Sequence, residues 1–224
     1  LYYEGITMNT KPNPTPKGAT PPGADNWYMK TYPKKIHLKD GREVTVRPMV
    51  DTDLEASYSF FKSLPEDVRV YLRQDVTKRE VVERRMGHDD MHCFCRIVVL
   101  VGDRIVGDAT LYQEPHSWKK HVGEVRLIIH PEYQHAGLGN HLIHELYEIA
   151  NAGGLELLFC ALIEEQVGTI KALEKLGFKK ELVKKGHVRD IKGKRHDLVI
   201  MTCNLGELWH RLEILMLDMD MGQA

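Results

Sequence analysis

The chain has 224 residues, with 31 Lys and Arg against 32 Asp and Glu, a formal charge of −1. Its 42% hydrophobic and 28% charged residues are ordinary globular proportions and exclude a wholly disordered chain, while the balanced charge excludes a nucleic-acid binder working through bulk positive charge. No run of about 18 apolar residues offers a membrane span, and no basic segment leading into an apolar core announces a secretion signal.

Residues 1–35 stand apart. Six of the ten prolines fall there (Pro12, Pro14, Pro16, Pro21, Pro22, Pro33), with little apolar periodicity. Such a segment buries too little surface to offset its own ordering entropy. It is expected as an extended arm, laid on the domain through Trp27, Tyr28 and Tyr32 or left as a tail. From Ile36 the pattern becomes regular. Alternation around Asp40-Gly41 predicts two strands joined by a hairpin. Asp51 is placed to cap a helix through Leu54, Tyr58, Phe61 and Leu64. Pro65 opens a second helical stretch, which runs in two pieces to about His88, restarted by Asp75 or Thr77. Segments 93–102 and 104–113 read as two strands across Gly102-Asp103, and 121–130 as another, ended by Pro131.

An amphipathic helix follows, with Leu138, Leu142, Leu146 and Ile149 on one face and Gly153-Gly154 stopping it. The apolar run 155–163 predicts a strand covered on both faces. Residues 166–176 form a helix that Gly177 ends, and strands at about 178–188 and 197–204 close the core around Lys192-Gly193-Lys194. The order is antiparallel hairpins and then a single β-α-β unit. That predicts an α/β mixed sheet with helices on both faces, mostly antiparallel, and not a doubly wound one. Beyond it, Leu205, Leu208, Leu212, Leu215 and Met219 form a helical stripe. The stripe packs on its own domain, makes a homodimer contact or covers the region of the site. The expected organisation is an arm at 1–35, a domain at 36–204 and a helix at 205–224.

The segment 125–143 carries chemistry. A strand runs into a loop with glycines at 137 and 139, and the loop runs straight into a helix. The first turn of a helix leaves backbone N–H groups unpartnered and carries about half a positive charge. Glycines let that backbone approach a large anion. The loop lacks the lysine of a P-loop and the G-x-G-x-x-G of a dinucleotide site. The residues alone thus describe an anion site at a helix start, with ordinary turn chemistry as the alternative.

Gln134-His135-Ala136-Gly137-Leu138-Gly139 resembles Q/R-x-x-G-x-G/A, the acetyl-coenzyme A loop of the GNAT N-acetyltransferases, and it follows a strand ending His130-Pro131-Glu132-Tyr133 as is common there. Leu173-Glu174-Lys175-Leu176-Gly177-Phe178 resembles that family's second motif. The resemblance covers about residues 43–204 and implies the GNAT acyl-coenzyme A N-acyltransferase fold. It implies transfer of an acetyl group from acetyl-coenzyme A, as co-substrate and without a metal, to a primary amine of a small molecule or a protein lysine. Amides from Gln134 through His135, Ala136, Gly137, Leu138 and Gly139 to Asn140 would hold the pyrophosphate. Strand 125–130 would splay from 155–163, opened by a bulge, and its backbone at Leu127, Ile128 and Ile129 would pair with the pantetheine arm. Gln166 stands where many members have an asparagine that reaches that arm.

Two departures from the pattern matter. The position of the family's usual general-acid tyrosine is Leu173, with Tyr112, Tyr133 and Cys160 as substitutes. Glu124 is the candidate base, since an attacking amine must lose a proton. It lies one position off the family's glutamate, so pairing with a basic neighbour such as Arg126 is its plainer role. Glu164 and Glu165 are second choices. The alternative function is a non-catalytic acyl-coenzyme A binding or sensing module.

The remaining constellations read as structural. The cysteines Cys93, Cys95, Cys160 and Cys203 form no disulfide framework or zinc pattern and are expected as reduced core thiols of a cytoplasmic protein. His141 and His144 lack the carboxylate partner of a metal helix and read as a solvated face. His187 and His196 flank the last hairpin, whose basic run Lys184, Lys185, Lys192, Lys194 and Arg195 reads as a soluble turn.

Overall fold

The structure is a computed structural model and describes residues 31–86 and 93–208. Eight strands form one sheet in the order β1-β2-β3-β4-β5-β6-β8-β7. They are β1 (Lys34–His37), β2 (Glu43–Pro48), β3 (Cys93–Val101), β4 (Arg104–Gln113), β5 (Val122–Ile129), β6 (Leu157–Ile163), β7 (Lys179–Arg189) and β8 (Arg195–Asn204). Every neighbouring pair is antiparallel except β5 and β6, which are parallel and joined through a helix. The mixed sheet expected from the element order is therefore present.

Alternation along the strands builds two cores. Ile97 and Val99 of β3 point to one face with the long helix α4 (Leu138–Ala152) and with α5 (Val167–Lys175). Val98 and Leu100 point to the other, against α1 (Leu54–Ser63) and α3 (Arg79–Met86). Between these last two lies the single turn α2 (Glu66–Arg69), with Pro65 at its N-cap. The stripe of α4 is fully buried: Leu138, Leu142, Leu146 and Ile149 are each 2% exposed or less. Burying each such side chain is worth about 1.5–3 kcal/mol, so packing fixes α4 and the loop before it. Gly153 is the C-cap, and Leu155 N–H returns to the Ala150 carbonyl at 2.9 Å.

Two local expectations are corrected. The carboxylate that fixes the start of α1 belongs to Asp53, not Asp51. It accepts the Val50 N–H at 2.9 Å and a bidentate Arg47 guanidinium at 2.6 and 2.7 Å, whereas Asp51 is exposed in a 3-10 turn. The buried ion pair with β2 outweighs a local cap. Strand β6 is not covered on both faces. Leu158, Cys160 and Ile163 are buried, while Leu157, Phe159, Ala161 and Leu162 are half-buried, because the sheet opens beside them.

Strand β1 begins at Lys34, inside the expected arm. Tyr32 packs on the core and donates its hydroxyl to Glu145 at 2.7 Å. Trp27 and Tyr28 lie outside the described residues. Leu205 is buried and Leu208 packs against the same core, so the C-terminal stripe starts on its own domain; Leu212, Leu215 and Met219 lie outside the described residues. Cys95, Cys160 and Cys203 are buried thiols, as expected. Among the described residues no helix is long and apolar enough to cross a membrane.

Candidate active site

The site begins where the sheet fails to stay closed. Strands β5 and β6 pair only at Val122↔Leu157, Gly123↔Leu158 and Glu124↔Phe159. Beyond Glu124 they diverge, although β5 continues to Ile129 and β6 to Ile163. The opening occurs without a bulge, correcting the expected mechanism. The ladder from β5 to β4 is unbroken from Gln113↔Gly123 to Gly107↔Ile129. Strand β6 holds its full register with β8, so the two halves of the sheet part as intact bodies.

The His130 N–H points to Val106 of the β4 side at 2.9 Å. By alternation the backbone groups of Leu127 and Ile129 point the other way, into the gap. Those of Ile128 face β4, and its side chain lines the cavity. The Ile129 carbonyl is already taken by the Gln134 amide at 3.1 Å. The gap is a cavity of about 300 Å3 whose apolar walls include Val125, Leu127, Cys160 and Leu173.

At the open end sits the glycine loop. His135 takes φ 60 and Gly137 takes φ 87 as N-cap of α4. Both lie in the left-handed region, which costs a residue with a Cβ about 1–2 kcal/mol. The turn aims the first amides of α4 outward. Asn140 and His141 donate back to the Gly137 carbonyl at 3.1 and 3.3 Å, whereas among the described residues nothing accepts from the amides of His135, Ala136, Gly137, Leu138 or Gly139. Lys39, not singled out from sequence, pins the loop by donating its N–H to the Ala136 carbonyl at 3.0 Å, and its stem lies along Gly137. A cradle of free amides, an open strand edge and an apolar slot between them fit an elongated molecule with a diphosphate at one end and an amide-bearing arm at the other.

The description of the acetyltransferase (GNAT) family matches residues 53–178, more than half of the chain. The chain belongs to the GNAT acetyltransferase family. Solved structures with the same fold include the GNAT domain of S. lividans PAT (17% identity, TM-score 0.63, 76% of this chain and 96% of that one). They also include a ribosomal-protein-S5-alanine acetyltransferase from Vibrio fischeri (19%, 0.63, 72% and 92%). A spermidine N-acetyltransferase chimera of Vibrio cholerae SpeG and hSSAT matches at 20% identity, TM-score 0.61, over 74% of this chain and 98% of that one. This GNAT protein is thus an N-acetyltransferase with the expected mixed-sheet fold.

Glu124 lies at the apex of the fork, on the sheet face opposite α4. Its carboxylate is gripped by Arg73 at 2.5 Å and by Arg126 at 2.8 Å. Burial alone would raise its pKa, but the hydrogen bond from Arg126 and the charges of Arg73 and Arg126 outweigh this and hold it below the ordinary carboxylate value. Glu124 is therefore ionised at neutral pH. Arg73 also reaches the Ala161 carbonyl at 3.4 Å, so it bridges both arms of the fork from the segment between α2 and α3. The pairing with Arg126 was readable from sequence. Arg73 was not, because its segment has no periodicity and lies far from Glu124 along the chain.

The other expected residues are placed as follows. Gln166 lines the gap, its carbonyl oxygen accepting the Ile163 N–H at 3.0 Å. Leu173 is buried against the gap, as the missing tyrosine implies. Tyr112 pairs directly across from Glu124, takes Arg126 against its ring at 4.1 Å and accepts from Arg96 at 2.9 Å. Tyr133 lies instead at the loop end, under Arg42. Burial pushes the Cys160 thiol up to about 12, so it stays protonated. Glu164 and Glu165 are drawn away from the fork. Glu164 faces Lys180 and Lys185 at 3.7 Å, and Glu165 binds His196 at 2.7 Å. His196 is buried between Glu165 and Asp190 (2.9 Å) and closes the β7–β8 hairpin, while His187, His141 and His144 are exposed. Among the described residues no group of His, Cys, Asp and Glu could hold a metal.

Proposed function

We propose that this enzyme moves an acetyl group from acetyl-coenzyme A to a primary amine by direct attack within a ternary complex. The observation that carries the reading is the row of unclaimed amides at 135–139 opening onto the free edge of β5. Bound there, acetyl-coenzyme A supplies the activated acyl carbon and a thiolate leaving group. The amides of His135 to Gly139, with the helix start behind them, would hold its diphosphate; Gln134 and Asn140 flank them. Leu127, whose backbone turns to the gap beyond the last rung between β5 and β6, would pair with the arm and donate to a carbonyl laid along the strand. Gln166 would add its side-chain amide.

Glu124 would orient the incoming ammonium and relay its proton to water. Its guanidinium partners keep it ionised but weaken it as a base, which favours a relay over a final acceptor. No side chain is needed to protonate the thiolate, which leaves tolerably at neutral pH. The acceptor is a small amine or a protein lysine, and a reducing cytoplasm suits the buried thiols.

The test is calorimetric titration with coenzyme A and thiol release over a panel of amines and lysine peptides. Binding is expected, with release for some amines. Glu124→Gln is expected to lower kcat by about tenfold or more at unchanged coenzyme affinity. Coenzyme binding without release from any amine would overturn the transfer and leave a sensing module.

A further inference from the structure

A second cavity of about 340 Å3 lies at the apex of the fork, on the α3 side. Its lining is shared by the ends of β4 and β5, by Phe159 of β6 and by α3. It shares Gln74, Arg85 and Arg126 with the lining of the coenzyme gap, and Glu124 stands on its own wall beside them. On the acetyl-transfer reading, it is the acceptor chamber.

Among the described residues its charge is unbalanced. Four basic side chains, Arg84, Arg85, Lys119 and Arg126, line it against two acidic ones, Glu114 and Glu124. Glu124 is already claimed by two guanidiniums, Arg73 and Arg126. Arg85 faces Asp108 at 3.5 Å. Among the described residues no carboxylate lies within ion-pair distance of Arg84 or Lys119, and the buried Nε of Arg126 has no acceptor. Arg84 and Lys119 stand exposed at its mouth and would attract an anion through water, and the buried Nε of Arg126 is a donor without an acceptor inside.

We propose that the acceptor is an amine carrying a carboxylate close by, with its ammonium at Glu124 and its carboxylate at Arg84, Lys119 and Arg126. The chamber suits one small zwitterion or one side chain with an acidic neighbour. It does not suit a polyamine, whose further ammonium groups would meet a basic wall. A free amino acid and a lysine flanked by acidic residues present the same chemistry, and the test separates them.

The test compares matched acceptors with coenzyme A binding measured alongside. Alanine, glutamate and lysine are each set against their carboxamides, lysine peptides with Glu flanks against Gln flanks, and spermidine against all of them. Both kcat/KM from thiol release and calorimetric binding in the presence of coenzyme A are read. The acid is expected to exceed its carboxamide by about tenfold in the amino-acid arm or the peptide arm, which names the source. Added salt should narrow that preference in the unaltered enzyme. The exposed double reversal Arg84→Glu, Lys119→Glu should abolish or invert it while coenzyme affinity stays unchanged. Equal use or equal binding of carboxamides, a preference for spermidine, or a preference untouched by both salt and charge reversal would overturn the inference. Loss of coenzyme A binding itself would instead overturn the transfer reading beneath it.

Discussion

Replacing Gly137 by alanine isolates what the left-handed turn contributes. At φ 87 the new Cβ meets only the stem of Lys39, at 3.4 to 3.6 Å, which is near ordinary contact. The cost is therefore torsional, about 1–2 kcal/mol. Part of it is offset by about 0.4–1 kcal/mol from the narrower unfolded chain, leaving a net loss near 1 kcal/mol. The residue can relieve the strain only by rotating its peptide planes, which turns one or two amides away from the cradle. A hydrogen bond to a charged group is worth about 1.5–3 kcal/mol, so coenzyme A should bind roughly 10- to 150-fold more weakly. Urea unfolding reads the first quantity and calorimetry the second. Gly102→Ala is the control. Gly102 takes φ 58 in the β3–β4 turn with nothing within 4 Å, so it should lose similar stability and no affinity. Wild-type affinity in Gly137→Ala, or equal affinity losses in both variants, would refute the amide cradle.

Three further outcomes follow from the geometry. Arg73→Ala removes one of the two cations that lower the Glu124 pKa. If the ionised carboxylate relays the proton, activity disappears as pH falls through that pKa, so the acid limb of kcat/KM should move to higher pH; an unmoved limb would retire the relay. Gly123→Ala would bring a Cβ within 2.8–2.9 Å of the methyl ends of Leu111, Leu155 and Leu158 at the base of the fork. Overpacking there should cost about 1–3 kcal/mol in urea unfolding, and an unchanged midpoint would show that the leucines yield freely. Hydrogen bonds to Asp190 and Glu165 raise the pKa of His196, and those to His196 lower both carboxyls. The histidine's stabilisation is full below its ordinary value near 6.5 and is lost as pH rises through the raised one, while the carboxylates' share is lost as pH falls into their range. The stability gap between the unaltered protein and His196→Gln should therefore be largest in mild acid and shrink toward alkaline pH; a flat gap would count against the buried pair.

Much of this architecture is legible because it rests on local periodicity. The stripe of α4, the turn at Asp40-Gly41 and the glycine at 137 each impose geometry within a few residues. What sequence could not supply is contact between distant segments. The start of α1 falls to Asp53 because Arg47 lies across from it, and alternation alone does not reveal that partner. Strand β6 reads as doubly covered because its composition is apolar, yet part of that surface faces the gap between β5 and β6. Glu124 was found from its strand, but its chemistry is set by Arg73, on a segment with no repeating pattern.

The unbroken ladder between β4 and β5 has one more effect. Because no residue is inserted, odd and even positions of β5 never trade sides. Gly123, Val125, Leu127 and Ile129 turn to the apolar core under α4, and Glu124, Arg126 and Ile128 turn to the opposite face. The strand acts as a partition whose two surfaces are written by parity. A single-residue insertion within it would turn the charges beyond that point into the core and the core side chains out, which makes this stretch less forgiving of length changes than of most substitutions.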